Sequence, residues 1–126
     1  MNSKAVLIVE DAETCASTLE ILLGSIEGLN IVTASSAERA WELIEGANGG
    51  IGAMITDLHM PGMDGFELIA RVRAHPGHAG LPIIVITGST DPETPERLRN
   101  GGADAVFAKP YSPALVREKV EQLLKR

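Results

Sequence analysis

Cysteine and long apolar runs are both scarce in this chain. The single cysteine, Cys15, excludes an internal disulfide and a zinc site built from cysteines, and it fits a reducing cytoplasm. The first apolar run, residues 5–9, is too short for a signal peptide and meets charged residues at once. No run approaches the length of a membrane span. We therefore expect a cytoplasmic protein with no membrane partner.

An excess of positive charge is also absent. The net charge of −6 argues against nucleic acid as a direct partner, and it suits a site that gathers carboxylates around a cation. The chain has 126 residues, is 44% hydrophobic and 22% charged, and contains no internal repeat, low-complexity tract or linker. These features predict one globular domain over residues 1–126, with both ends belonging to it.

Short apolar runs alternate with segments of helical periodicity. The runs predict five strands, at residues 4–9, 29–33, 51–56, 81–86 and 104–108. Three helix starts are marked by capping or first-turn residues: Ser35 with Glu38, Asp64 with Glu67, and Ser112 with Pro113. The first helix is predicted to close at Gly28 and the second at residues 48–50. The fourth helix could start at Pro92 or at Pro95.

This alternation predicts a parallel sheet with helices on both faces, because right-handed crossovers allow few other arrangements. The first, third and fourth strands are the most apolar and should be central. The expected fold is therefore a single doubly wound α/β domain of the flavodoxin-like type. Its five-stranded parallel sheet has the order 2-1-3-4-5 and is accompanied by five helices.

Polar residues follow four of the predicted strands. Glu10 and Asp11 follow the first, Asp57 the third, Thr87 the fourth and Lys109 the fifth. In this topology the four strand ends share one edge of the sheet. Crowded carboxylates repel one another unless a cation joins them, and an oxygen-only cluster suits Mg²⁺ (or Mn²⁺). A lysine and a threonine beside such a cation suit an anionic phosphoryl group.

Each of these residues also has an ordinary structural explanation. Asp57 could bond the backbone of its own turn, and Asp11 could cap the first helix. An isolated threonine commonly starts a turn, and a lone lysine commonly extends into solvent. Four such coincidences at one edge are much less probable than any one of them, so the sequence favours a functional site.

The same residues carry a family resemblance. The segment 57–65, the acids Glu10 and Asp11, the pair Thr87–Gly88 and the pair Lys109–Pro110 all match the pattern of receiver domains of two-component response regulators. From Lys4 to its end the chain resembles this family. The resemblance implies phosphorylation of Asp57 by the phosphohistidine of a sensor histidine kinase or a phosphotransfer protein, and hence a phosphorelay signalling role.

The resemblance also assigns roles to the site residues. Magnesium would be held by Asp11, Asp57 and the backbone carbonyl of His59, with Glu10 reaching it directly or through water. The catalytic residues Thr87 and Lys109 would bind phosphoryl oxygens, together with the backbone N–H of Gly88. The Lys109–Pro110 peptide is expected to be cis, since the chain must turn sharply there while the lysine reaches the pocket. The side chain of His59 would either tune hydrolysis or be an exposed loop histidine.

One position departs from the family pattern. Receivers usually carry Tyr or Phe three residues before the lysine, as a conformational switch, and here that residue is Val106. Strand alternation places Phe107 on the opposite face. The family's usual partner surface, formed by the fourth helix, fifth strand and fifth helix, would carry Arg97, Arg99, Val106, Arg117 and Lys119. It would meet a downstream protein or a second copy of the chain.

Two other functions compete with a signalling module. A magnesium-dependent enzyme acting on a diffusible substrate would need a further acid or base near Asp57, and the residue two along is His59. A phosphorylation-independent interaction domain would be expected to have lost one of the acids or the lysine, which this chain retains. The chain is therefore predicted not to be an enzyme, apart from catalysing its own phosphorylation and dephosphorylation.

The remaining residues of interest have structural interpretations. Cys15, Trp41 and Leu115 are predicted to face the core from their helices. His75 and His78 flank a Pro-Gly break with no partner acid nearby in sequence. They are interpreted as exposed loop residues.

Overall fold

Five parallel strands form one sheet in the order β2-β1-β3-β4-β5, as the sequence predicts. The computed structural model describes residues 5–47 and 49–125. Lys4 and Asn48, which were expected to begin the first strand and to end the second helix, lie outside the described residues. The elements in chain order are β1 (Ala5–Val9), α1 (Glu13–Gly24), β2 (Asn30–Ala34), α2 (Ala37–Gly46), β3 (Ile51–Asp57), α3 (Gly65–Ala74), β4 (Ile83–Thr87), α4 (Thr94–Gly101), β5 (Ala105–Ala108) and α5 (Pro113–Leu124).

The sheet separates two apolar cores, because successive strand residues point to opposite faces. On β1, Leu7 and Val9 pack with residues of α2, α3 and α4, whereas Val6 and Ile8 pack with α1 and α5. β4 is buried along its whole length. Covering both faces explains why the central strands are continuously apolar rather than alternating.

Two of the three helix starts follow the predicted capping chemistry, and the third is shifted. Asp64 accepts from the backbone N–H of Glu67, and Ser112 accepts from that of Leu115. In α2, however, the N-cap is Ser36, which accepts from Arg39 N–H, so the prediction of Ser35 is wrong by one residue. Glu38, the predicted partner of this cap, instead accepts a hydrogen bond from the backbone N–H of Met63, so no capping box forms at the start of α2.

The end of one helix and the start of one strand also differ from prediction, and the open alternative for the start of α4 is resolved. α1 ends at Gly24, and Gly28, with φ of 77°, lies in the following turn. α4 begins at Thr94 with Pro95 in its first turn, which selects Pro95 over Pro92 as the helix-starting proline. β4 begins only at Ile83, because Leu81 N–H is bonded to His78 O in the preceding turn.

Three side chains are less buried than their helical spacing suggests. Leu115 is 55% exposed, so it is not part of the core face of α5. Cys15 and Trp41 are only partly buried. Periodicity places a residue on a helix face, but how far that face reaches beneath its neighbours is set by tertiary packing. Within the described residues, no helix is long and apolar enough to cross a membrane.

Candidate functional site

The sheet brings the predicted polar residues to one edge. Strand register pairs Val9 with Thr56, Asp57 with Ile86, and Thr87 with Ala108. The residues that end or follow β1, β3, β4 and β5 therefore stand side by side at the carboxyl edge of the sheet. Edges of this kind are where doubly wound folds bind ligands.

The most direct contact at this edge joins Asp57 to Lys109. Lys109 Nζ lies 3.2 Å from Asp57 Oδ2 and 4.0 Å from Glu10 Oε2. The other carboxylate oxygen of Asp57, Oδ1, accepts a hydrogen bond from Leu58 N–H. The carboxylate is thus held by the backbone N–H of the next residue on one side and faces an ammonium group on the other.

The carboxylate of Asp57 forms a cluster with two other carboxylates. Oxygen atoms of Glu10, Asp11 and Asp57 all lie within 4.8 Å of one another. Glu10 is buried, 6% exposed, whereas Asp11 is exposed. Glu10 Oε1 accepts from Ala12 N–H, which holds its side chain beside the strand end. The donor set is oxygen only and partly open to solvent, which fits a hard, partly hydrated divalent cation such as Mg²⁺.

Crowding and burial perturb the protonation of Glu10. Burial disfavours its charged form, and the neighbouring Asp57 carboxylate adds to the effect. Together they raise the pKa of Glu10 from 4.5 to about 7, even though Lys109 opposes the shift. A cation between the acids would favour the charged form and act against this rise.

Burial and the neighbouring charges act in opposite directions on the pKa of Lys109. Burial alone would lower the pKa of its ammonium group, but the carboxylates of Asp57 and Glu10 outweigh burial, so the pKa is raised. The side chain therefore carries a firm positive charge at the edge where Asp57 ends β3.

The loop after β4 contains a short hydrogen-bond chain. Thr87, which is 3% exposed, accepts from Ser89 N–H through its hydroxyl oxygen at 3.0 Å. Ser89 Oγ lies 3.1 Å from the hydroxyl of Thr94, the first residue of α4. Gly88, between Thr87 and Ser89, is exposed, as is His59 in the loop after Asp57.

The loop after Asp57 is fixed by residues whose role was not recognised in the sequence. A side-chain Cβ at Gly65 would lie 2.8 Å from Asp57 O, so only glycine lets α3 start this close to the strand end. Glu38 Oε2 accepts from Met63 N–H at 3.0 Å, and this bond lowers the pKa of Glu38. The sequence signal for Glu38 was assigned to a helix cap, which hid its contact with the loop.

The region around β5 settles three expectations. The Lys109–Pro110 peptide is cis, as predicted. Val106 packs against the α2–α4 core and Phe107 against the α1–α5 core, so the two residues do face opposite sides of the sheet. Arg117 does not extend freely on the surface formed by α4, β5 and α5. Its guanidinium contacts Ser25 O, in the turn after α1, and the carboxylate of Glu121.

The other histidines lie elsewhere. His75 and His78 stand near the end of α3, at the opposite edge of the sheet, and are partly buried rather than exposed. The structure also supplies the partner acid that was absent from their sequence neighbourhood, because Glu45 of α2 approaches His75. They take no part in the cluster around Asp57.

Comparison with known proteins agrees with this arrangement. A family model described as the response regulator receiver domain matches residues 6–121. Chemotaxis protein CheY1 of Helicobacter pylori (strain J99 / ATCC 700824) is 30% identical over 118 residues, which cover 94% of each chain.

Two solved structures illustrate the likeness of the folds. A response regulator receiver protein from Pseudomonas putida is 33% identical with a TM-score of 0.87, covering 97% of this chain and 98% of that chain. A CheY-like response regulator receiver domain protein from Methanospirillum hungatei JF-1 is 30% identical with a TM-score of 0.84, covering 98% and 94%. With its flavodoxin-like fold, the chain belongs to the receiver domain family of two-component response regulators.

Proposed function

We propose that this receiver domain accepts a phosphoryl group on Asp57 from the phosphohistidine of a sensor histidine kinase or a phosphotransfer protein. The observation that carries the proposal is the position of Lys109 Nζ, 3.2 Å from the Asp57 carboxylate, beside the cluster with Glu10 and Asp11. An ammonium group there neutralises charge on an incoming phosphoryl oxygen. In the transfer, an Asp57 oxygen bonds to phosphorus while the bond from phosphorus to the imidazole nitrogen breaks, and its electron pair returns to the imidazole.

The proposed cofactor is Mg²⁺ (or Mn²⁺). It would be held by Asp11, Asp57 and the backbone carbonyl of His59, with Glu10 contributing directly or through water. When bound, it supplies a Lewis acid that offsets charge on the phosphoryl oxygens. The oxygen-only donors and the mixture of buried and exposed acids support this assignment.

The remaining contacts to the phosphoryl group are assigned to this chain's own donors. The hydroxyl of Thr87, the ammonium group of Lys109 and the backbone N–H of Gly88 would bind its oxygens. The chain would act on no diffusible metabolite and would catalyse only its own phosphorylation and dephosphorylation. His59, which is exposed two residues after Asp57, would influence the approach of hydrolytic water.

With valine at position 106, the signal must travel by another route. We assign it to the hydroxyl chain of Thr87, Ser89 and Thr94. Drawing the Thr87 hydroxyl towards a phosphoryl oxygen would remove the acceptor of Ser89 N–H and disturb the start of α4. A ligand shifts a conformational equilibrium only through such differential contacts.

The output surface is proposed to lie on α4, β5 and α5. Arg97 and Arg99 are exposed on α4, and Val106 and Lys119 are partly buried on β5 and α5. Arg117 is withdrawn from this surface because it contacts the turn after α1. The surface would meet an acidic protein partner or a second copy of the chain. The proposed receiver is a single cytoplasmic domain of residues 1–126.

Incubation with acetyl phosphate and Mg²⁺, followed by intact mass measurement, tests the proposal. One phosphoryl adduct is expected on the wild type and on the control Asp91→Asn, an exposed acid in the loop after β4. No adduct is expected on Asp57→Asn. Continuous turnover without an adduct would favour a metabolic enzyme. The absence of both an adduct and turnover would favour a phosphorylation-independent interaction domain.

A further inference from the structure

A second cluster of potential ligands lies at the edge of the sheet opposite Asp57. It is formed by Glu45, in the last turn of α2, and by His75 and His78, in the turn that follows α3. One ligand atom of each residue lies within 4.8 Å of those of the other two. His75 Nε2 is 3.9 Å from Glu45 Oε2. We refer to these three residues as the His–Glu cluster.

The two histidines of this cluster are held together on an aromatic support. Their rings stack with centroids 4.3 Å apart and an interplanar angle of 25°. The ring of Trp41 meets both rings edge-on, with centroid distances of 5.8 Å. Trp41 itself packs against the buried core below α2 and α3. The imidazoles are therefore backed by a rigid group rather than extended freely into solvent.

The helix ends around the cluster favour a bound cation. Both α2 and α3 end here, so the partial negative charges of their last carbonyls face this region. The opposing charge is Arg71, whose guanidinium lies 5.7 Å from the Trp41 ring centroid. Arg73, the other basic residue of the last turn, is turned away to the carbonyls of Gly102, Ala79 and Leu81.

We propose that the His–Glu cluster binds a divalent transition-metal ion of the zinc class. Two imidazoles and one carboxylate are a donor set that zinc uses in proteins, whereas Mg²⁺ avoids imidazole. Glu45 and His75 keep 49% and 41% of their side-chain surfaces exposed, so water can complete the coordination. The ion would join the end of α2 to the end of α3, independently of the acids around Asp57.

Binding of the ion requires a small rearrangement of the three side chains, and this rearrangement can be measured. Zinc–nitrogen bonds of about 2.0–2.1 Å place ligand atoms roughly 3.3 Å apart, so the side chains must close inward. His75 Nδ1 accepts a hydrogen bond from Gly77 N–H at 3.0 Å. If the metal takes Nε2, the single hydrogen of the neutral ring moves to Nδ1, and Gly77 N–H loses its acceptor. The Gly77 amide should therefore respond to the metal.

A zinc titration of the full chain tests the site, and about 10 mM Mg²⁺ is included to fill the proposed magnesium site at the acid cluster. Trp41 is the single tryptophan, so its emission reports on the adjacent rings. We expect one zinc ion per chain and a saturable emission change, with affinity reduced at least about tenfold in His75→Gln, His78→Gln and Glu45→Gln. Two control variants should bind zinc as the wild type does. One is Glu42→Gln, which removes an acid of the same helix that pairs with Arg39, and the other is Asp57→Asn.

Nuclear magnetic resonance on the wild type provides a second measurement that depends on no substitution. Zinc should shift the imidazole signals of His75 and His78 and the amide of Gly77, and leave the third histidine, His59, unchanged. The proposal is overturned if zinc affinity is the same in His75→Gln and His78→Gln as in the wild type. It is also overturned if Asp57→Asn alone abolishes binding, or if the shifts fall on His59.

Discussion

The protonation of Glu10 makes a sharp prediction about stability in the absence of divalent metal. Replacing Glu10 by Gln removes a carboxyl group that is almost fully buried beside Asp57. Its pKa in the folded state is about 7, against 4.5 as the ordinary value. The folded protein therefore holds a proton that the unfolded chain releases, so this group's contribution to folding falls as pH rises between these two values.

The size of the effect follows from the shift. One pKa unit corresponds to about 1.36 kcal/mol, so the rise of Glu10 to about 7 corresponds to an upper limit of about 3 kcal/mol above neutral pH. Well below pH 4.5 the group is protonated in both states and contributes nothing to the pH dependence. The stability of Glu10→Gln relative to the wild type should therefore rise by about 1–2 kcal/mol between pH 5 and pH 8.

Denaturant unfolding of both proteins in a metal chelator, near pH 5 and near pH 8, measures this difference directly. Glu42→Gln serves as the matched control, because it removes a carboxylate that is exposed and only loosely paired with Arg39. Adding Mg²⁺ near pH 8 should stabilise the wild type more than Glu10→Gln. An equal stability difference at both pH values would refute the account of a crowded, partly protonated acid cluster.

Three further predictions concern the same region. Magnesium at about 10 mM should stabilise the wild type by about 1–2 kcal/mol, because the unfolded chain does not hold the acids together, and melting curves that ignore the ion would contradict the proposed site. Gly65→Ala should destabilise the fold by about 1–3 kcal/mol, since the new Cβ would lie 2.8 Å from Asp57 O. The control Gly101→Ala should not destabilise it, because a Cβ there meets no atom within 4 Å. Equal unfolding midpoints for the two variants would exclude the clash. A beryllofluoride mimic of the phosphoryl group should change amide exchange mainly across residues 88–100, through Ser89 and Thr94, and a response concentrated at Val106 and Phe107 would contradict this route.

The sequence predicted the sheet order because its patterns are local and repeated. Continuously apolar runs identified the buried strands, and right-handed connections then left few possible topologies. The polar residues at four strand ends could be placed together for the same reason, without knowledge of any distance. Asp57, Lys109 and the two acids after β1 meet where this reasoning put them.

What the sequence did not reveal depends on contacts between distant segments. The bond from Glu38 to Met63 spans 25 residues, and a local capping pattern gave a more obvious use for the same carboxylate. The side chain of Glu45 lies 3.9 Å from that of His75, but Glu45 comes 30 residues earlier in the chain, so no spacing rule joins them. The exposure of Leu115 likewise depends on where α5 rests against its neighbours.

The contact between Asp57 and Lys109 joins residues 52 positions apart, on the middle strand and just beyond an edge strand. During synthesis the three acids leave the ribosome well before the lysine. A nascent chain that stops short of β5 would therefore hold the acids without their compensating ammonium group. The pocket is completed only when β5 has joined the sheet, so phosphoryl-mimic binding would report that the sheet is complete and not merely begun.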